Sequence, residues 1–440
     1  MAPAPRLILS EAGACSVRPQ RPRDNNSHRG EVSTVPKDVI KKVQSAPAAR
    51  VVIYSHDTLG YGHLRRNLAL ARKLRMLPDA PDVLMIAGMR EAGAFDIPEG
   101  VDLVILPAYA KGRCGNYTSQ HLSLELGQLA ELRAGIIRAA VKSFRPDLVI
   151  VDNVPQGAQQ ELRPTLKWLR GEPARVVLGL RDVIDSREVV RRQWLRQRNV
   201  ESLTRYYDEV WVYGDPEFYD LVEEYGFGPT IGAKVRFTGY LDRSGQERSA
   251  TARQAGLNVL GRDRRPYILC SLGGGRDGLE LGAAFAAARM PKGQRGILVT
   301  GSQMTREDRR AIIAIASANP DVEIVEFVPE LAGLIDGAER IIGMGGYNTI
   351  CEILSFAKTS LIVPRIRPRQ EQLIRAERLA NARMIDLLHP DALSPEAISD
   401  WLSRPTDAGR GGSPDLSGLD RFAELTSEAL SAVRPTRIAA

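Results

Sequence analysis

The 440-residue sequence contains no apolar stretch of the ~18 to 20 residues that a membrane-spanning helix requires. Its apolar runs are short, such as those at residues 83–87 and 148–151. The N-terminus places only Leu7, Ile8 and Leu9 before Glu11, which is too little for the apolar part of a secretory signal. We therefore expect a cytoplasmic protein without a transmembrane segment.

Cysteine is also scarce. The four cysteines, Cys15, Cys114, Cys270 and Cys351, are far apart in sequence and form no C-x-x-C pair. This pattern excludes a disulfide scaffold and is typical of reduced thiols in a cytosol. We predict that Cys270 and Cys351 are small residues of the core.

Little excess positive charge lies outside the N-terminus. The formal net charge is +7, and the first 50 residues hold nine basic and four acidic side chains, which accounts for five of those charges. The remaining chain is nearly neutral, so a nucleic-acid partner is not expected. Residues 1–45 mix Pro, Arg, Asn and Ser without an apolar period, and this predicts a disordered basic segment.

Short β-branched runs that alternate with amphipathic stretches make up most of the chain. Continuous apolar runs separated by helices predict parallel strands that are covered on both faces. A first series of strands is predicted at residues 51–54, 83–87, 103–106, 148–151, 176–180, 209–213 and 235–238. A second series is predicted at residues 267–271, 297–300, 322–327, 340–342 and 360–363.

The sequence thus predicts two Rossmann-like, doubly wound α/β lobes with a cleft between them. We assign residues 46–240 to the N-terminal lobe, 241–265 to a polar linker and 266–404 to the C-terminal lobe. Residues 405–440 are predicted to form a loop and a final helix. The apolar face of that helix consists of Leu419, Phe422, Leu425 and Ala429.

A glycine turn follows the first strand, in the sequence S-H-D-T-L-G-Y-G-H that ends at His63. Such a turn lies at the carboxyl end of a strand, where open α/β sheets bind ligands. His63 or His56 could accept a proton there near neutral pH, and Asp57 could orient an imidazole. Asp152, at the end of another strand, is the second candidate base. Either histidine could instead cap the helix or bond to backbone.

A second glycine turn, Gly273, Gly274, Gly275, Arg276, Asp277 and Gly278, follows the first strand of the second series. It matches G-x-G-x-x-G between a strand and a helix, and this predicts backbone N–H groups that face a phosphate. A nicotinamide dinucleotide requires an acidic residue at the end of the next strand. That strand ends in Thr300 and Gly301, which argues against NAD. A turn whose glycines serve only packing is the alternative.

A third turn, G-M-G-G-Y-N-T-I-C-E, runs from Gly343 to Glu352. Its helix N-terminus is a further candidate anion site, and Glu352 could accept hydrogen bonds from a ribose diol. Farther on, Glu371 and Gln372 begin another helix, and a carboxylate beside an amide is suited to sugar hydroxyls. These two residues could also belong to a charged, solvated helix face.

The segment from Gly345 to Gln372 resembles the donor-binding segment of GT-B glycosyltransferases. It is similar both to the signature of plant UDP-glycosyltransferases and to the N-acetylglucosaminyltransferase family that completes lipid II. The latter similarity covers residues 50–400, and the chain also resembles a bacterial group of predicted glycosyltransferases. The resemblance implies the GT-B fold and a nucleotide-sugar donor, with a UDP-sugar as co-substrate and no cofactor.

The resemblance also implies roles for individual residues. Glu352 would hold the ribose, Asn348 and Thr349 beside Gly345 and Gly346 the phosphates, and Glu371 with Gln372 the sugar. The residues Gly60 to His63 correspond to that family's N-terminal glycine loop, Gly273 to Gly275 with Arg276 to its second loop, and Arg243 to its diphosphate-contacting arginine. Phe327 and Val328 fall where the family grips uracil through backbone. Because Met344 replaces the plant histidine, diphosphate binding must depend on backbone amides and Arg243 or Arg276.

The expected activity is transfer of a hexose-type sugar to an acceptor hydroxyl with inversion. No D-x-D motif occurs, so no metal site is predicted, and His63 or Asp152 would be the base. The acceptor is not identified by the sequence and could be lipid-linked or a polysaccharide. Residues 111–118 and 187–198 either bind this acceptor or form solvated surface. A UDP-sugar hydrolase, a 2-epimerase or a non-catalytic nucleotide-sugar-binding protein remain as alternatives. The basic segment could hold the protein at the inner face of a membrane.

Overall fold

The structure, a computed structural model, describes residues 48–56, 61–111, 116–247, 250–328, 331–405, 412 and 414–438. The predicted basic segment 1–45 lies outside the described residues, as do Asp57, Gly60 and Cys114.

Nine strands belong to the first lobe in the part of the chain described. They are β1 (Arg50–Ser55), β2 (Asp82–Ala87), β3 (Val101–Ile105), β4 (Tyr109–Lys111), β5 (Tyr117–Ser119), β6 (Leu148–Asp152), β7 (Arg175–Arg181), β8 (Glu209–Tyr213) and β9 (Val235–Phe237). Seven form one parallel sheet in the order β3-β2-β1-β6-β7-β8-β9. The remaining two, β4 and β5, pair with each other as an antiparallel hairpin.

Helices flank this sheet. They are α1 (Gly62–Arg75), α2 (Leu126–Phe144), α3 (Arg163–Leu169), α4 (Arg187–Arg196), α5 (Asn199–Tyr206), α6 (Leu221–Tyr225) and α7 (Gly228–Gly232). A short 3-10 turn, Arg90–Ala94, follows β2.

The second lobe is also a parallel sheet flanked by helices. Its strands are β10 (Tyr267–Ser271), β11 (Arg295–Val299), β12 (Val322–Val325), β13 (Arg340–Gly343), β14 (Thr359–Ile362) and β15 (Asp386–Leu387), all parallel, in the order β12-β11-β10-β13-β14-β15. The helices are α8 (Ser244–Glu247), α9 (Ala250–Leu260), α10 (Leu279–Ala287), α11 (Arg306–Ala316), α12 (Ala332–Gly337), α13 (Tyr347–Ser355), α14 (Glu371–Asn381), α15 (Pro395–Ser403) and α16 (Gly418–Ile438). A 3-10 turn, Pro390–Ala392, precedes α15.

The predicted α/β architecture is confirmed, and each predicted strand is present with both ends within two residues of the prediction. Cys270 and Cys351 are buried free thiols, as predicted. The central strands are buried along their whole length because helices cover both faces of each sheet. None of the described helices combines the length and the apolar character needed to cross a bilayer.

Three elements differ from the sequence prediction. The stretch 111–118 contributes to the β4–β5 hairpin, whose three-residue strands are too short to leave an apolar run. The two-residue β15 is missed for the same reason. The stretch 241–265 contains α8 and α9, and Val259 and Leu260 at the end of α9 pack against the core.

The last helix, α16, returns to the first lobe and packs on α1. Its predicted apolar face is buried, and the Phe422 ring contacts those of Trp211 and Tyr213, with centroids 5.6 and 6.4 Å away. Just before this helix, the Tyr240 N–H donates to the Asp415 carbonyl over 2.7 Å. The C-terminal segment is therefore anchored on the sheet that carries the first half of the site.

Candidate active site

Both sheets have a point at which the strand order reverses. In the first sheet β1 lies between β2 and β6, and in the second β10 lies between β11 and β13. Ligands of doubly wound sheets bind at the carboxyl ends of the strands beside such a point. The first of these points supplies α1 and Asp152, and the second supplies the two glycine loops after β10 and β13.

A cavity of about 300 Å³ is lined by residues from both of these points. The residues named from the sequence that line it are His63, Gly273, Gly274, Gly275, Arg276, Phe327, Val328, Gly346, Asn348, Thr349, Glu352 and Gln372. The other four are Asp152, Arg243, Gly345 and Glu371. Each of them contacts a lining residue or precedes one in sequence. The structure thus brings these residues to one place, whereas Asp57 and Gly60 lie outside the described residues and the buried His56 does not line the cavity, its ring centroid lying 5.1 Å from that of His63.

His63 is the second residue of α1, and its imidazole enters the cavity with 16% of the side chain exposed. The Nδ1 atom lies 2.6 Å from Oδ2 of Asp152. Arg66, one turn farther along α1, donates from Nη2 to both carboxylate oxygens of Asp152, over 2.5 and 2.7 Å. These three side chains form a connected group, the base array.

Burial alone would raise the pKa of the Asp152 carboxyl, but the charge of Arg66 and the contact with His63 hold that pKa well below its usual range. The group is an ionised acceptor with both oxygens occupied and only 2% of its side chain exposed. This argues against the prediction that Asp152 is a base. Its carboxylate instead favours the His63 tautomer with a proton on Nδ1 and a lone pair on Nε2, and Nη2 of Arg66 also lies 3.0 Å from that Nδ1 atom.

Opposite the base array lie the two glycine loops. Gly275 has φ +90°, and a Cβ there would lie 2.1 Å from the Thr300 carbonyl oxygen, so only glycine fits. Gly346 is the N-cap of α13 and has no side-chain cap, and a Cβ on it would meet nothing within 4 Å. The first N–H groups of α13 are therefore open towards the cavity.

Asn348 and Thr349 belong to the first turn of α13. The Asn348 amide donates from Nδ2 to the Gly62 carbonyl over 2.9 Å, which ties α13 of the second lobe to the start of α1. The Tyr61 ring makes a second bridge, because its hydroxyl bonds Oγ of Ser302 over 3.1 Å and its centroid lies 5.8 Å from that of Phe327.

Glu352 and Arg243, which the resemblance assigns to two different parts of a donor, contact each other. Nη1 of Arg243 donates to Oε1 of Glu352 over 3.1 Å, and Nη1 of Arg65 lies 3.7 Å from the same oxygen. Glu352 is only 2% exposed. In this structure its carboxylate therefore holds two arginines beside the cavity.

Glu371 and Gln372 both contact Arg365. The backbone N–H of Arg365 donates to Oε1 of Gln372 over 2.9 Å, and its guanidinium pairs with Glu371. Glu371 is 5% exposed, and its Oε2 atom has no hydrogen-bond partner among the described residues. Gln372 lines the cavity, whereas Glu371 lies behind it.

Sequence reasoning did not assign roles to several lining residues, among them Tyr61, Arg66 and Arg181. Arg66 follows His63 by three residues, a spacing that places both on one helix face, so the pair could have been found. Arg181 ends β7 at the same sheet edge as Asp152, and its position after a buried strand was a usable signal.

A second cavity, of about 510 Å³, lies in the first lobe. It is lined by Asn116, Tyr117, Leu126, Val154, Gln156, Gly157, Ala158, Gln159, Gln160, Arg196, Gln197 and Asn199. Half of these carry carboxamides, and no acidic residue is among them. The cavity brings together parts of 111–118 and 187–198, the segments predicted for an acceptor. Gln160 lines it with φ +62°, and Asn153 and Arg198 nearby have φ of +67° and +53°, strained values for residues other than glycine.

Comparisons with known proteins give the family and the fold that the chain resembles. Residues 286–404 match the glycosyltransferase family 28 C-terminal domain. A curated relative, UDP-N-acetylglucosamine--N-acetylmuramyl-(pentapeptide) pyrophosphoryl-undecaprenol N-acetylglucosamine transferase of Chromohalobacter salexigens, is 29% identical over 144 residues. These residues are 32% of this chain and 39% of that protein, so the chain spans about two fifths of the length of this relative.

Solved structures are similar over nearly the whole chain. The UDP-GlcNAc 2-epimerase from Neisseria meningitidis has a TM-score of 0.57 at 15% identity, covering 87% of this chain and 99% of that one. The calicheamicin glycosyltransferase has a TM-score of 0.52 at 16% identity, covering 89% and 96%. At these identities the likeness concerns the fold. The chain therefore has the GT-B fold, and residues 286–404 of its second lobe are similar to the glycosyltransferase family 28 C-terminal domain.

Proposed function

We propose that this protein transfers a hexose-type sugar from a nucleotide diphosphate sugar, a UDP-sugar, to an acceptor hydroxyl with inversion and without a metal ion. One observation carries the proposal: the base array of His63, Asp152 and Arg66 faces two glycine loops across one cavity. The names of relatives that act on or bind UDP-N-acetylglucosamine support a UDP-sugar donor.

In the proposed reaction His63 is the general base. Asp152 accepts a hydrogen bond from Nδ1–H, so the Nε2 lone pair takes the proton of the acceptor hydroxyl as its oxygen attacks the anomeric carbon. The bond from that carbon to the diphosphate oxygen breaks on the opposite face, and the electron pair leaves with UDP. Proton abstraction of this kind contributes about 10²- to 10⁴-fold to a rate.

The departing diphosphate needs stabilisation as its charge develops. The open N–H groups at the start of α13 and the exposed Arg276 offer it in the cavity. Asn348 and Thr349 lie on the same turn. We propose that Glu352 aligns Arg243 and Arg65 for this charge and that Gln372 binds a hydroxyl of the sugar. Phe327, which is 40% exposed, offers the nucleobase of the donor a flat apolar surface.

On the acceptor side, the second cavity favours a neutral, hydroxyl-rich group. Carboxamides both donate and accept hydrogen bonds, which matches sugar hydroxyls. Gln156 and Asn199 are held through Gln197, by bonds of 2.7 Å to its carbonyl and 3.2 Å to its Oε1. We propose that the acceptor is a glycan, lipid-linked or polysaccharide, and that the protein works at the cytoplasmic face of a membrane.

The principal test is a screen of labelled UDP-, GDP- and dTDP-sugars for binding and turnover, with bacterial lipid extract as acceptor and with EDTA added in parallel. We expect labelled product from a UDP-sugar in both conditions. His63→Ala should lower turnover about 10²- to 10⁴-fold and leave donor affinity within about twofold. His121→Ala, at an exposed histidine outside the cavity, is the matched control.

Other outcomes of this screen would replace the proposal. Free sugar released without acceptor indicates a hydrolase, and a donor epimerised at C2 indicates an epimerase. Tight UDP binding without turnover across the panel indicates a non-catalytic binding protein. Wild-type turnover in His63→Ala would remove His63 as the base.

The acceptor cavity has its own test. Gln159 lines it, and its carboxamide makes no hydrogen bond among the described residues. Gln159→Leu should therefore raise the KM for the acceptor roughly tenfold while UDP affinity is unchanged, since two hydrogen bonds to a neutral hydroxyl contribute about 0.5–1.5 kcal/mol each. Gln303→Leu, in the donor cavity, is the contrasting variant, and equal effects on acceptor KM would contradict the assignment.

A further inference from the structure

Arg181 is the last residue of β7, and its side chain lines the same cavity as His63. It is half-buried, and its Nε atom is sealed from solvent without a hydrogen-bond partner. No ion pair or hydrogen bond of its guanidinium is present in the part of the chain described. The cation thus lines the cavity without a carboxylate paired to it among the described residues.

Four neighbouring buried or half-buried arginines are different, because each is paired with a carboxylate. Arg66 pairs with Asp152, Arg243 with Glu352, Arg365 with Glu371 and Arg375 with Asp182. The charge of Glu371 acts on Arg181 and raises its pKa, but the Glu371 carboxylate is already paired with Arg365. Arg181 is therefore an excess positive charge in the cavity, because no carboxylate of the described residues pairs with it.

This excess has an energetic cost. Burial lowers the pKa of Arg181, and the like charges of Arg66, Arg375 and Arg369 lower it further. A cation whose pKa is lower in the folded than in the unfolded chain destabilises the fold at neutral pH. Such a group is retained where a ligand supplies the missing charge.

The position of Arg181 separates it from the proposed diphosphate site. The open N–H groups of α13 and Arg276 belong to the second lobe, whereas Arg181 ends a first-lobe strand next to the one that ends in Asp152. Its charged neighbours are Arg66 of the base array and Glu371, which adjoins the proposed sugar contact Gln372. It thus lies at the end of the cavity where the acceptor hydroxyl would meet the sugar.

We propose that Arg181 binds a carboxylate or phosphate group that a substrate carries beside the reacting centre, separate from the donor diphosphate. The inference rests on the proposed function. Its two Nη atoms can bind the two oxygens of such a group side by side. The group belongs either to the transferred sugar, as in a hexuronate, or to the acceptor.

The experiment compares the wild type with Arg181→Gln, Arg181→Lys and the control Arg191→Gln, an exposed arginine of α4 outside both cavities. Calorimetric titrations measure UDP, UDP-glucose and UDP-glucuronate, and then inorganic phosphate added to UDP-saturated protein. Melting temperatures are recorded for every variant. Arg181→Gln should melt no lower than the wild type, because it removes an unpaired charge.

If the anion is on the sugar, UDP-glucuronate should bind the wild type roughly tenfold more tightly than UDP-glucose. Arg181→Gln should lose this preference, Arg181→Lys should keep part of it, and Arg191→Gln should keep it all. If the anion is on the acceptor, the two donors bind alike, and phosphate binds UDP-saturated wild type but not Arg181→Gln. Affinity for UDP itself should be unchanged in either case.

Two results would overturn the inference. One is that neither the glucuronate preference nor phosphate binding depends on Arg181. The other is that Arg181→Gln weakens UDP binding as much as UDP-glucuronate binding, which would assign Arg181 to the diphosphate. If the wild type binds no UDP, the proposed function fails instead, so the two failures are distinguishable.

Discussion

Asp152 acts through another side chain, because its carboxylate touches His63 and Arg66 and does not line the cavity. Asp152→Asn should lower turnover about 10²-fold or more, since an amide no longer fixes the proton on Nδ1 of His63. UDP affinity should remain within about twofold, as measured by titration. Asp102→Asn, on the exposed side of β3, is the control. A parallel loss of UDP affinity would mean that Asp152 merely supports the fold.

The same three residues show how much of the site could be predicted from the sequence. The predicted positions of the strand ends placed His63 and Asp152 at one edge of the sheet, because the carboxyl ends of parallel strands meet there. Their division of labour was not predictable, since it depends on Arg66, whose guanidinium holds the Asp152 carboxylate ionised. The contact between Glu352 and Arg243 was also beyond reach, because the two are 109 residues apart and belong to different elements.

The two glycine loops that line the cavity differ in why glycine is required at Gly275 and at Gly346. Gly275 serves the fold, because a Cβ there would collide with the Thr300 carbonyl oxygen and φ is +90°. Gly346 has φ −59° and open space, so its missing side chain leaves room for a ligand. Gly275→Ala should destabilise the protein by about 1–3 kcal/mol or more. Gly346→Ala should leave the melting temperature nearly unchanged and weaken UDP binding roughly tenfold by filling the start of α13.

Denaturation curves and UDP titrations of both variants test this division, and each variant is the control for the other. Equal stability losses, or unchanged UDP affinity in Gly346→Ala, would contradict it.

Long elements were predictable, whereas short and helical connections were not. Buried strands such as β6 and β10 consist of unbroken apolar residues and are visible in any sequence. The β4–β5 hairpin has only three residues in each strand, and its pairing is long-range information that no local pattern contains. Helix α9 lies in a polar stretch, and its close approach to α12, where a Cβ on Gly256 would lie 3.0 Å from the Gly333 backbone, is a tertiary property.

A buried ion pair between Arg375 and Asp182 joins the two lobes. Arg375 of α14 donates to Asp182, which follows β7, through Nε and Nη2 over 2.6 to 3.0 Å. The same guanidinium donates from Nη1 to the Gly345 carbonyl over 3.1 Å, and the Tyr240 hydroxyl donates to Oδ2 of Asp182. Both charged side chains are 1% exposed. The pair therefore ties the third glycine turn to the strand end that carries Arg181.

Breaking this pair should be costly, because Arg375→Met leaves the Asp182 carboxylate buried and unpaired. We expect the free energy of unfolding to fall by about 3–5 kcal/mol. Arg378→Met is the matched control, one turn along α14, because Arg378 pairs with Glu224 of the first lobe at the surface, with side chains 48% and 33% exposed. Loss of that surface pair should cost about 0–1 kcal/mol. The double variant Asp182→Leu with Arg375→Met should regain part of the stability, since it removes both charges. If Arg375→Met and Arg378→Met were equally stable, the buried pair would not hold the lobes together.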